Sequence, residues 1–292
     1  MDSTELQQAR NEAIQAANRL RLPLRTRSWK GQAGEFAGGG TGSSLDFQDH
    51  RAYVPGDDPR HINWQAYARS GTYTMKLFRE EVRPIVDVIL DASESMFFEP
   101  AKARRTAGLL YFLCAACQGA GASVRVTALR GDAALRLAED EISSHRWFEA
   151  MRKLSSPRAA DAPNLTKVPL RASSVRVFLS DLLYDADPLP LLRHLGERHG
   201  SAILFAPHSV SESAPDWSGN YEFIDTERGS REAHRIEPAV LGRYRASYAA
   251  HFALWKSACL RHQAAFVHLP AEDDLASALF REAVPVRALE SI

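Results

Sequence analysis

Asp91, Ser93 and Ser95 are the residues with the clearest chemical potential in this chain of 292. They close the stretch Ile85-Val86-Asp87-Val88-Ile89-Leu90-Asp91-Ala92-Ser93-Glu94-Ser95-Met96, an apolar run ending in an acid followed by two hydroxyls at a spacing of two. Hard oxygens converging over five residues suit Mg²⁺, which keeps several waters and takes few protein ligands. A second apolar run, Val175-Arg176-Val177-Phe178-Leu179-Ser180, also ends in an acid, Asp181. Two such carboxylates meeting at one crevice repel unless a proton or cation lies between them. Helix capping by the same acid and hydroxyls is the competing explanation.

The elements that must position these groups read as an α/β domain. Runs rich in Val and Ile, bounded by turn signals, are strands buried on both faces of a parallel sheet. An acid at the carboxyl end of such a strand faces the crevice where open α/β sheets bind ligands. Strands are expected at 85–91, 123–129, 175–180, 202–206, 221–225 and 265–269, with an antiparallel edge strand at 134–138 after the Gly131-Asp132 turn. Helices are expected at 102–118, 141–154, 189–198, 239–263 and 273–281. This alternation is the signature of a sheet covered on both sides.

Upstream, residues 1–30 are expected to form an N-terminal helix and linker. Asp2 and Glu5 resemble a capping box, and the helix face of Leu6, Ala9, Ala13, Ala16 and Leu20 is mostly alanine. Residues 31–83 are expected to hold a glycine-rich loop, 31–44, and a small β-rich lobe with a strand near 72–78. The loop lacks the Gly-Lys-Ser/Thr ending of a phosphate cradle. Residues 84–292 are the α/β domain.

Composition narrows the function classes. The 36 basic and 36 acidic residues cancel, which argues against a dedicated nucleic-acid or anionic-membrane binder. No apolar run reaches the roughly 20 residues that span a bilayer. The polar start and only 3 Cys imply a cytoplasmic, reducing location. Cys114 and Cys117 have redox spacing but fall inside an apolar helix, where thiols serve as core. The 10 His show no zinc-hydrolase pattern, and no Gly-x-Ser-x-Gly elbow occurs. Trp147, Trp217 and Trp255 are expected to anchor the core or the lobe.

Asp91-Ala92-Ser93-Glu94-Ser95 resembles the metal-ion-dependent adhesion site of von Willebrand factor A-type domains. The resemblance implies a doubly wound, mostly parallel sheet with helices on both faces and Mg²⁺ at its carboxyl edge. It further implies a Thr from a second loop and an Asp after a third strand. Asp181 takes the third position by its placement, and Thr166 is the candidate for the second. The family shows a Gly-Thr pair followed by an amphipathic helix, whereas Asn164-Leu165-Thr166 here is followed by the short segment 167–174.

The stretch Arg51-x-Tyr53-x-Pro55-Gly56-Asp57-Asp58-Pro59-Arg60-x-Ile62-Asn63-Trp64, then Ala68-Arg69, is similar to the signature of a bacterial family of unknown function. Its members carry this stretch just before an A-type domain, and the fit covers about 50–250 of the chain. Ala52 stands where an acid is usual and Asn63 where Asp is usual, which thins the negative charge there. Members are generally encoded with MoxR-type AAA+ ATPases and are thought to act in chaperone-like assembly or activation.

Together these imply a non-enzymatic, Mg²⁺-dependent interaction module. Its metal would be held by Asp91, Ser93, Ser95, Thr166 and Asp181, and completed by an acidic residue of an AAA+ ATPase or its client. Arg51, Tyr53, Asp57, Asp58, Arg60, Trp64 and Arg69 are either a partner-binding surface or an ion-pair and turn network. Two alternatives stay open. One is a phosphatase-like hydrolase with Asp91 as nucleophile, although Ser93 stands where such enzymes carry a second acid. The other is a metal-free scaffold.

Overall fold

The computed structural model describes residues 1–24, 45–80, 83–226 and 228–292, so the expected loop at 31–44 lies outside the described residues. The chain forms two compact units, Met1–Leu24 with Pro84–Ile292, and Arg25–Arg83.

The first helix, α1 (Ser3–Ala17), begins with the full capping box: Asp2 accepts from the Glu5 amide and Glu5 accepts from the Asp2 amide, each at 2.8 Å. Its buried residues are Leu6, Ala9, Ala13 and Ala16. The sequence suggested a helix leaning on the domain edge or on a partner, and α1 packs into the α/β unit. Alanines along one face let two helix backbones approach closely, so a face of small area still makes a tight joint. A two-residue strand, β1 (Leu20–Arg21), pairs antiparallel with Glu290–Ser291 and ties the two ends of the unit together.

The smaller unit is an antiparallel pair, β2 (Leu45–Ala52) with β3 (Thr74–Glu80), bulged between Phe47 and Asp49. The excursion between them carries a 3₁₀ turn at Pro59–His61 and a short helix, α2 (Trp64–Ser70). Asn63 caps α2 through its side chain, and Gly71 ends it at φ 69°, the left-handed region where glycine is unstrained.

The α/β unit runs β4 (Ile85–Asp91), α3 (Ser95–Phe98), α4 (Pro100–Gly119), β5 (Ser123–Arg130), β6 (Ala133–Leu137), α5 (Glu139–Ser143) and α6 (Arg146–Arg152). It continues with β7 (Val175–Leu179), α7 (Pro188–Gly196), β8 (Ser201–His208), α8 (Val210–Ser213), β9 (Gly219–Ile224), β10 (Arg231–Ile236), α9 (Pro238–Arg261), β11 (Ala265–Pro270) and α10 (Leu275–Glu282). Six strands form one sheet in the order β11-β8-β7-β4-β5-β6. Every pairing is parallel except β5 with β6.

One expectation needed correction, and one strand was missed. The single helix at 141–154 is two helices, α5 and α6, broken at His145, which sits at φ 64° and places Nδ1 2.6 Å from the Tyr111 hydroxyl. The strand at 221–225 has a partner, β10, that sequence reasoning left unassigned. Arg-Glu-Ala-His-Arg-Ile is mostly charged and exposed, so it carries no burial signal.

The core follows from period-two alternation along β4. Val86, Val88 and Leu90 face a cluster built with α1, α4 and α10, while Ile89 faces another containing Phe178, Leu204, Phe252 and Trp255. The sheet order reverses between β4 and β7, the point where such sheets open a crevice at their carboxyl ends. At the opposite end of β4, the buried carboxylate of Asp87 accepts from Arg171 Nε at 2.7 Å and from the Arg171 amide at 2.9 Å. Arg171 is part-exposed and keeps bonds to the Val86 and Ser123 carbonyls, so the loss is that of charged hydrogen bonds, about 1.5–3 kcal/mol. Asp87→Ala is therefore expected to lower the denaturant midpoint by that order. A shift equivalent to less than about 1 kcal/mol would assign the pair to an exposed class.

Candidate functional site

The crevice at the switch point collects the strand-end groups. Asp91, the last residue of β4, is 1% exposed. Its Oδ1 accepts the Ser93 amide at 3.0 Å, and its Oδ2 accepts the Ser180 hydroxyl at 2.6 Å. The hydroxyls of Ser93 and Ser95 lie 3.2 Å apart. Because Leu90 and Leu179 are register partners on β4 and β7, the segments after both strands leave the sheet side by side. Asp181 is 3% exposed and accepts the Leu183 amide on Oδ1 at 3.1 Å.

On Oδ2, Asp181 accepts from Lys102 Nζ at 2.8 Å. Lys102 comes from the first turns of α4 and its side chain is 1% exposed. The same ammonium donates to Glu212. Glu212 is held in place by a capping box with Ser209, whose amide donates to Glu212 Oε2 at 2.8 Å.

The electrostatics follow from burial. Loss of water, then the charge of Asp181, push the Asp91 carboxyl up to about 7, against the hydrogen bonds from Ser180 and Ser93. Burial works against the charge on Lys102, yet Asp181 and then Glu212 outweigh it and hold the ammonium above its ordinary value. The three cysteines are pushed up to about 12 by burial, which suits inert core thiols rather than a redox pair.

Among the described residues, no three His, Cys, Asp or Glu side chains are grouped to hold a metal. A cation here would rest on Asp91, hydroxyls and water. That donor set fits Mg²⁺: ligands about 2.0–2.1 Å from an octahedral ion are about 3 Å apart along an edge, close to the 3.2 Å between the two serine hydroxyls. Thr166 lies in the short turn Leu165–Lys167, where its hydroxyl donates to Asn164 at 2.7 Å.

Sequence reasoning missed Lys102, Glu212 and Ser180. A signal for Lys102 existed. It shares a helix face with Thr106, Leu109 and Leu113, all buried, and a lysine on such a face calls for a buried partner. Ser209-x-x-Glu212 is a readable capping box, but its second task, bridging to Lys102, depends on tertiary placement.

The smaller unit uses much of its signature internally. Arg51 clasps Asp57 with two bonds of 2.7 and 2.6 Å, and Asp57 also accepts the Val54 amide at 2.8 Å, closing the Pro55-Gly56 turn. Arg51 holds the Asp57 carboxyl below its usual range. Asp58 pairs with Arg60 at 2.6 Å. Asn63 caps α2 and places Nδ2 2.6 Å from His50 Nε2. Trp64 is 58% exposed and stands edge-on to Tyr67 and Tyr73, which stack on each other at 4.4 Å; Tyr53 leans on Tyr73, and Arg69 is exposed.

Residues 49–253, over two thirds of the chain, match the protein family of unknown function DUF58. The chain belongs to the DUF58 family. Two solved structures resemble this DUF58 chain. One is an aerotolerance-related membrane protein from Bacteroides fragilis NCTC 9343, at 13% identity and a TM-score of 0.33, covering 60% of this chain and 98% of that one. The other is the conserved hypothetical protein BatB from Bacteroides thetaiotaomicron, at 11% identity and a TM-score of 0.36, covering 70% of this chain and 98% of that one. No curated protein matches the chain. Among the described residues, no helix is long and apolar enough to cross a membrane.

The raised Asp91 carboxyl sets a pH dependence whose sign can be worked out. Between about pH 4 and pH 7 the folded chain holds a proton that the unfolded chain has lost, so this group's stabilisation declines through that window and stays lost above it. Asp91→Asn does not titrate. In metal-free buffer, its melting temperature relative to the wild type is expected to be several degrees more favourable at pH 8 than at pH 4.5. An offset that is the same at both pH values would refute the raised carboxyl.

Proposed function

We propose that this DUF58 chain is a non-enzymatic, cation-dependent interaction module with a von Willebrand factor A-like α/β unit. The observation that carries the reading is that two buried carboxylates, Asp91 and Asp181, end neighbouring strands at the switch point, beside two hydroxyls spaced like one edge of a Mg²⁺ octahedron. The strand order, running 3-2-1-4-5-6 in chain sequence with one antiparallel edge, supports the A-type assignment. Asp91, Ser93 and Ser95 would hold the ion, with Thr166 and Asp181 as the candidates for the remaining positions.

An ion held by few carboxylates keeps positive charge and an open position, which an acidic side chain of a partner can fill. Resemblance to the MoxR-associated family points to an AAA+ ATPase of that type, or its client, as the partner. The exposed aromatic group around Trp64, with Arg60 and Arg69, is the surface we assign to partner choice. Hydrolysis through Asp91 is disfavoured by Ser93, which stands where such enzymes carry a second acid.

The metal-free scaffold has one observation in its favour. Lys102 already neutralises Asp181, as a resident cation would. Thermal melting against Mg²⁺ separates the two. Free cation at five times its dissociation constant adds about 1 kcal/mol, or roughly 2 °C for a unit of this size. The expected result is a saturable rise of that order at millimolar Mg²⁺, reversed by EDTA and absent in Ser93→Ala/Ser95→Ala. A flat titration at pH 8 would favour the scaffold.

A further inference from the structure

Lys102 stands in an unfavourable place for a cation. It is buried, and it lies in the first turn of α4, where the helix dipole presents its positive end. An ammonium there loses its water and meets a like partial charge. An apolar side chain of the same size would fill the space without that cost. What holds the lysine is a pair of carboxylates on different elements. Its Nζ donates to Asp181 Oδ2 at 2.8 Å, after β7, and to Glu212, in α8. The two acceptors differ in their surroundings. The Asp181 side chain is 3% exposed and that of Glu212 is 22% exposed. Glu212 is fixed from two sides: the Ser209 amide donates to its Oε2 at 2.8 Å, and the Tyr244 hydroxyl donates to its carbonyl at 2.8 Å.

The charges of this linked set are unbalanced. With Asp91 ionised, three carboxylates against one ammonium leave two negative charges, the charge of one divalent ion. Glu94, beside Ser93, adds nothing to the balance because it pairs with Arg130 at 2.9 Å. An ion bound beside Asp91 therefore meets an ammonium already seated on the neighbouring carboxylate. We propose that Lys102 sets how tightly this crevice holds a divalent cation, by repelling the ion and competing with it for Asp181, while Glu212 draws the ammonium away. The inference rests on the cation reading of the crevice. Its consequence is that the chain alone holds the ion weakly, so the carboxylate of a partner supplies attraction that the resident acids, shared with Lys102, do not.

Mn²⁺ alone is the probe, since it takes the same oxygen ligands as Mg²⁺. It is titrated into the full chain, and free ion is counted from its electron paramagnetic resonance signal. Lys102→Met keeps the length of the stem and removes the charge, and is expected to tighten Mn²⁺ about tenfold or more. Glu212→Gln leaves the ammonium to Asp181 alone, and is expected to loosen Mn²⁺ about threefold or more. In an Asp181→Asn background the gain from Lys102→Met should shrink by about threefold or more, because the two residues act on each other. Should Lys102→Met fail to fold, Glu212→Gln keeps the Lys102–Asp181 pair and still decides. Wild-type binding with no gain in Lys102→Met, no loss in Glu212→Gln, or an undiminished gain beside Asp181→Asn would overturn the role of Lys102 and leave the cation site standing. Absence of Mn²⁺ binding in the wild type and in folded Lys102→Met alike would overturn both. Binding by Lys102→Met and not by the wild type would support the proposal in its strongest form.

Discussion

Two carboxylates brought out of water at adjacent strand ends repel each other and lose hydration, and everything around them is arranged to lessen that cost. Ser180 and the Ser93 amide hydrogen-bond Asp91, Lys102 neutralises Asp181, and Glu212 shares the same ammonium. The order of the sheet makes this unavoidable. Placing β4 beside β7 sets both acids at the point where the connections part to opposite faces. A buried lysine is tolerated only because acidic partners offset its charge, so the helix α4, the loop after β8 and the switch point form one electrostatic unit.

That compensation is uneven, and the unevenness is where function enters. Asp181 has a cationic partner, shared with Glu212, whereas Asp91 has neutral donors and is pushed up to about 7. One negative charge at the crevice therefore remains available to a proton or a metal ion. In the proposed reading the adjacent hydroxyls of Ser93 and Ser95 direct that charge to a metal, because a proton needs only one acceptor while Mg²⁺ takes several oxygens.

Much of the scaffold was legible in the sequence, because the strands of a parallel sheet are apolar on both faces and announce themselves by composition. Ile85–Asp91, Ser123–Arg130 and Val175–Leu179 fall within a residue or two of the expected bounds. The exposed hairpin strand Arg231–Ile236 was not legible, since it buries almost nothing. The break at His145 was not legible either, because it depends on the distant Tyr111. Asp91 and Asp181 could be read from strand ends, but their neighbours could not. Lys102 lies 79 residues from Asp181 in the chain and 110 from Glu212, and pairing across such distances is set by the fold. In the signature at 51–64, residue types alone could not separate the Arg51–Asp57 clasp, which closes a turn, from Trp64, which faces solvent.

The most direct test of a cation at the switch point is paramagnetic relaxation by Mn²⁺, which occupies Mg²⁺ sites and broadens nearby amide signals. A cation held by Asp91, Ser93 and Ser95 should broaden the amides of residues 91–95 and 180–183 at substoichiometric Mn²⁺. Excess Mg²⁺ should reverse the effect, and Asp91→Asn should abolish it. Broadening scattered over surface acids, or none in this crevice, would contradict the central claim and leave the crevice to Lys102.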